Sequence, residues 1–101
     1  MSSGTYVNEG DGMYSLSESD RHRLLASDRR RIGLEVLSEY RSPVGIEELA
    51  TEIGKREADS GSVTEDAVER IAVDLHHVHL PLMAELGVVD YDLDSKHVLS
   101  G

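Results

Sequence analysis

The apolar period of the chain changes at Gly87, and that change limits the available folds more than any other feature of the sequence. Upstream, Val68, Ile71, Ala72 and Leu75 recur at the three-to-four spacing of a helix that buries one stripe. Ser62 and Glu65 have the S-x-x-E spacing of a capping box, which predicts a helix over roughly 63–86. Gly87 is placed for its left-handed stop. Downstream the period becomes two: Val89, Tyr91 and Leu93 share one face of a strand, and Asp90, Asp92 and Asp94 the other. Asp94-Ser95 supplies a turn, and Lys96 to Leu99 returns as a second strand.

The preceding segments are helical with short interruptions. Ser17 followed by Asp20 predicts a capped short helix over SESDRHRLLA, and Asp28 a second cap before RRRIGLEVLSEY. In the latter, Ile32, Val36 and Tyr40 recur every four residues, flanked by Gly33 and Leu37. Ser42-Pro43 ends that helix, because the residue before proline is pushed out of the α region. Pro43 to Gly45 leaves room for a very short strand or a turn. Ile46, Leu49, Ala50 and Ile53 then define a third helix, IEELATEIGKRE, followed by the loop ADSGS. Helix, helix, short strand, helix, helix, β-hairpin is the order of a winged helix-turn-helix: an α+β fold, mainly α, over 16–101. Residues 1–15, rich in Ser, Gly and acidic side chains, are expected to form a flexible arm.

Placing the long helix at roughly 100° per residue sorts its side chains. Ile71, Ala72, Leu75, Leu82 and Leu86 fall in a stripe centred on Val68, His79 falls inside it, and His76 on its edge. His77 points away, beside Arg70, Asp66 and Asp74. His76 and His79, three apart, can share a face, but a metal needs a third ligand and a polar or open site. His76 and His77 are therefore only weak metal candidates; with His97 they would make a metal or pH sensor. His79 is expected to be a core residue satisfied by a backbone carbonyl. Pro81 cannot donate to the carbonyl of His77, so a kink or a freed carbonyl is expected there, to be satisfied by His76, His77 or a water.

Composition narrows the function. Twenty Asp and Glu face ten Lys and Arg, a net charge of −10, and eight of the ten cations are Arg. An acidic, Lys-poor surface on a chain without Phe, Trp or Cys matches the salt adaptation of haloarchaeal proteins. Without cysteine there is no thiol catalysis, disulfide or Cys-based zinc site. No apolar run approaches the roughly 20 residues of a membrane span, and Met1 to Gly12 has no signal-peptide pattern, so a cytoplasmic protein is expected. There is no phosphate loop, nucleophile elbow or evident carboxylate pair, which argues against an enzyme and implies no cofactor or small-molecule substrate.

SDRRRIGLEVL (27–37), LHHVHLPLM (75–83) and ELGVVDYD (85–92) resemble a haloarchaeal winged-helix family of unknown function, the resemblance covering roughly 16–99. More distantly, the layout is similar to the small winged-helix repressors of prokaryotes. The resemblance implies a transcription regulator, usually dimeric, here through the first helix and the arm.

By that analogy the long helix would read DNA and the hairpin would be the wing. Yet the exposed N-terminal half of that helix carries Glu65, Asp66, Glu69 and Asp74 against one Arg, a poor approach to phosphates. Arg70 and His77 are its residues suited to base edges. Further basic candidates are Lys96 near the wing tip, Arg29, Arg30 and Arg31 opening the second helix, and Lys55 with Arg56 at the end of the third. Arg29 to Arg31 oppose the helix dipole and so need a partner, with carboxylates of this chain the commonest kind, Arg31–Glu35 among the pairs. The sequence thus gives two functional expectations: a winged-helix DNA-binding regulator, and a protein-interaction module that does not bind DNA.

Overall fold

The computed structural model describes residues 16–58 and 60–100, so the expected arm at 1–15 lies outside the described residues. Helix α1 spans Glu18–Leu25, with Ser17 Oγ accepting from the amide of Asp20 at 3.1 Å as its cap. Helix α2 spans Asp28–Leu37. Its cap is Ser27, whose hydroxyl accepts from the Arg30 amide at 3.3 Å, and not Asp28, which sits in the first turn and pairs with Arg31. The helix also ends short of Tyr40. Glu39 and Tyr40 bond the carbonyls three residues back, and the Ser38 hydroxyl takes the Glu35 carbonyl, so the last turn tightens and stops.

Strand β1 is only Val44–Gly45, and helix α3, Ile46–Glu57, follows it directly. Helix α4, Glu65–Asp74, starts at Thr64 and not at Ser62: Thr64 Oγ1 accepts from the Ala67 amide at 3.1 Å, while Ser62 bonds Ser60. The capping box expected at Ser62 and Glu65 does not form. A helix begun at residue 63 would pull Val63 off α3, where its methyl group lies against the Cα of Gly54.

The long helix is not α-helical throughout. Leu75–His79 forms a π turn, closed by the amide of Leu80 donating to the carbonyl of Leu75, and α5 continues over Leu80–Glu85. Pro81 is the local cause: it has no amide for the carbonyl of His77, and its ring crowds that carbonyl, so the turn widens. The extra residue rotates everything beyond it by roughly 100°. Ile71 and Leu75 are buried as the spacing predicts, but Leu80 and Met83 are the fully buried residues further on, while Leu82 and Leu86 are only half-buried. Val68 and Ala72 are half-buried too.

A Schellman motif ends α5. Gly87 is left-handed at φ +80°, its amide bonds the Ala84 carbonyl, and the Val88 amide bonds that of Met83. Strands β2, Val89–Asp92, and β3, His97–Ser100, form the hairpin. Strand β3 is the centre of a three-stranded antiparallel sheet ordered β1-β3-β2, with Val44 opposite Val98 and Tyr91 opposite Val98 on the other side. Leu93 was expected on the inner strand face; it lies instead in the turn and is 64% exposed. Lys96, expected in the returning strand, is also a turn residue, at φ +57°. The Asp92 carboxylate organises this turn by accepting from the Asp94 amide and the Ser95 hydroxyl, both at 3.0 Å.

Leu24, Leu37, Leu49, Ile53, Leu75, Leu80 and Met83 are the largest contributors from the helices to a single core, which Val98 closes from the sheet. The result is a mainly helical α+β fold with the winged helix-turn-helix layout. No helix of the described residues is long and apolar enough to cross a membrane.

Candidate interaction face

Helix α4 and the π turn that continues it stand out as a crest. Glu69, Val73 and His77, four residues apart, lie along its top and border a cleft on each side. Val73 is 54% exposed, a large share for an aliphatic side chain. One cleft, between α4 and the C-terminal end of α3, brings together Arg29, Arg70 and His77. The other, about 840 Å³, runs between α3, α4 and the wing and brings together Lys55, His76, His77 and Lys96. Arg30 and Arg56 border neither. The basic residues singled out from sequence are thus split across the crest.

Most of those cations are already engaged. Arg29 grips Glu57 with two bonds, at 2.9 and 3.0 Å, and Asp74 with a third at 2.9 Å. The Glu57 bond above all holds its guanidinium above the usual arginine range. Arg56 contacts both carboxylate oxygens of Glu39 at 2.9 Å. Lys55 lies 3.6 Å from Glu52. Arg30 donates to the carbonyl of Arg23, and its Nε is buried without a partner. Arg31 pairs with Asp28 and not with the expected Glu35. Arg70 and Lys96 remain exposed, with no ion pair among the described residues.

The histidines divide as well. His79 is buried, as its angle predicts, but its partner is a carboxylate and not a backbone carbonyl: Nε2 lies 2.9 Å from Asp74. In a regular α-helix, residues five apart diverge by roughly 140°. The π turn stacks them by bringing His79 round over Asp74, which itself stays beside Arg70 in the first cleft. Burial pushes the His79 imidazole below its ordinary value, Asp74 pulls it up, and Arg30 and Arg29 push it down again. The neutral ring must carry its proton on Nε2 to donate to Asp74, which leaves Nδ1 buried and unpartnered. His76 bonds the Tyr91 hydroxyl at 2.7 Å, tying the long helix to the wing, and His77 meets His76 edge to face at 4.8 Å. Among the described residues no cluster of three or more His, Cys, Asp or Glu side chains is placed to hold a metal ion.

Asp74, Glu57 and Tyr91 were not recognised from sequence as polar anchors. Tyr91 carries an alternation signal that fits a core position equally well. Glu57 has no local signal, since its partner is 28 residues away.

The family model described as a domain of unknown function, DUF7344, matches residues 22–99, which takes in every element from α2 to β2 and nearly all of β3. No curated protein and no solved structure matches the chain.

Proposed function

The chain belongs to the DUF7344 family, and we propose that it serves as a protein-interaction module, docking a partner on the α4 crest and its flanking clefts. One observation carries this reading. The crest and its N-terminal turn expose Glu65, Asp66, Glu69 and Val73 around a single arginine, while Arg29, Lys55 and Arg56 are turned onto carboxylates of the same chain. A half-exposed apolar residue among uncompensated carboxylates suits a protein surface better than a phosphate backbone. A photocrosslinking amino acid at Val73, in the living cell, should give a discrete protein adduct, and the same group at the exposed Ala84 of α5 none. A nucleic-acid adduct at Val73 would overturn the assignment.

A second reading, a DNA-binding transcription regulator of a salt-adapted archaeon, is favoured by Arg70 and Lys96. They are uncommitted and stand on opposite sides of the crest, in a fold whose layout suits a helix in the major groove and a wing beside it. The composition supports a cytoplasm of high salt, where a Debye length of ~3 Å blunts repulsion between carboxylates and phosphates. A two-fold dimer would then space its long helices about 34 Å apart. Retention of promoter fragments in 2 M KCl, lost in Arg70→Ala and Lys96→Ala, is the result this reading requires; no sequence-specific retention at any salt concentration removes it.

A further inference from the structure

We infer that the cleft between α3, α4 and the wing is a groove for a basic amphipathic helix contributed by another protein; this deepens the interaction reading above by naming the chemistry of the partner. The floor of the groove is apolar. Ile46, Val63, Val68 and Ala72 line it, and Val73 rises at its edge with more than half its surface in water. Helix α4 has ten residues, so the groove is about 15 Å long, the length of two to three helical turns. An amphipathic helix presenting anchors at i, i+3 or i+4, and i+7 covers such a floor.

The rim sets the sign of the partner. Glu47 from α3 and Glu65, Asp66 and Glu69 from α4 are exposed around this cleft, and none makes an ion pair among the described residues. Away from this groove, Asp20, Asp28, Glu39, Glu57 and Asp74 have cationic partners, while Glu18, Glu48, Glu85, Asp90 and Asp94 have no ion pair among the described residues. What singles out the groove is that four unpaired carboxylates ring one apolar floor. The first-turn positions of Glu47, Glu65 and Asp66 suit the dipoles of their own helices. That does not account for Glu69, which stands one turn on from Glu65, where like charges repel. Two lysines also line the groove, but Lys55 is committed to Glu52, and Lys96 sits at the wing end. Lys and Arg of an incoming helix would lie against the four free carboxylates while its apolar stripe covers Val68, Ala72 and Val73.

The full chain, labelled with ¹⁵N, would be titrated with three synthetic helical peptides of three turns sharing one leucine stripe, their polar faces all Lys, all Gln or all Glu, and with a random-sequence DNA duplex. The Lys peptide should move the amides of 46–55 and 65–76 saturably. Its affinity should fall at least tenfold in Glu69→Lys and in Val73→Ser, each with the thermal melt of the parent. Equal or tighter binding of the Gln or Glu peptide in the groove would overturn the charge assignment and leave the interaction reading standing. Binding of none of the three would overturn the groove itself. A duplex that binds and displaces the Lys peptide would overturn both the inference and the reading it rests on.

Discussion

The π turn can be tested by which of two leucines carries the core. If the helix were α throughout, Leu82 would lie roughly 40° from the centre of the buried stripe and Leu80 roughly 120° away. The structure reverses this: Leu80 is 0% exposed and among the largest fully buried side chains, and Leu82 is half-buried. Truncating a fully buried leucine to alanine removes its transfer free energy and leaves a cavity, about 3 kcal/mol or more at a site that cannot collapse. Leu80 sits between the π turn and α5 with core side chains around it, so little relaxation is available. Leu82 has less area to lose and leaves an open notch, at about 1 kcal/mol. For a domain of this size, 1 kcal/mol moves the melting temperature by about 4–8 °C. Leu80→Ala should therefore lower Tm by about 12–24 °C and Leu82→Ala by about 4–8 °C. Thermal unfolding followed by circular dichroism at fixed salt measures both. A larger loss for Leu82→Ala than for Leu80→Ala would refute the widened turn and restore the uninterrupted helix.

Two glycines in helices should respond in opposite directions. A Cβ on Gly33 would meet Ile53 Cδ1 at 3.5 Å, an ordinary contact, so Gly33→Ala should stabilise by about 0.5–1 kcal/mol. A Cβ on Gly54 would lie 2.7 Å from Val63 Cγ2 and 3.1 Å from Ile71 Cδ1; overpacking should outweigh the helix-propensity gain and lower stability by about 1 kcal/mol, and Tm shifts of the same sign would contradict this. Arg29→Met should cost about 1–2 kcal/mol in urea unfolding, after allowance for partial solvent screening, because it leaves Glu57 and Asp74 without their cation. Arg31→Met, on the exposed side of the same turn, should stay within about 0.5 kcal/mol. His79, held below the ordinary imidazole value of 6.5 mainly by burial, binds its proton more weakly folded than unfolded. Stability is therefore full above about 6.5 and falls as pH drops below it, and His79→Leu should flatten the unfolding free energy between pH 7 and 5.5. An unchanged slope would show that His79 is not the group responsible.

Element order and type were legible because they rest on local periods: the spacing of Ile46, Leu49, Ala50 and Ile53 for α3, the alternation after Gly87 for β2, and Gly87 itself for the stop. Boundaries were less so, since two neighbouring residues could each cap. Ser27 won over Asp28, and Thr64 over Ser62, the latter through a tertiary contact of Val63 with Gly54 that no local pattern contains. The angular reading of the long helix held through His79 and failed from Leu80 on, because the extra residue of the π turn before Pro81 moves every later side chain to another face. The same extra residue concealed the Asp74–His79 pair. The need of the Arg29 turn for a partner could be read from its place against the helix dipole; the identity of that partner could not.

That partner explains why Arg29 is not free to meet an outside anion. Arg29 lies in the first turn of α2, where a positive charge is unfavourable, and Glu57 is the last residue of α3, where a negative charge is unfavourable. Each is misplaced in its own helix and answers the other, and Asp74 of α4 completes the contact from a third element. The network joins α2, α3 and α4 beside the π turn through His79. An incoming phosphate would have to compete for Arg29 with two carboxylates held in bonding geometry, and winning it would unpair the contact that links the three helices. Carboxylates on the crest face no such competition, because Glu65, Asp66 and Glu69 have no internal partner among the described residues to give up. The groups free to bind without disturbing the fold are therefore mostly anionic, which is the ground for the cationic partner proposed above.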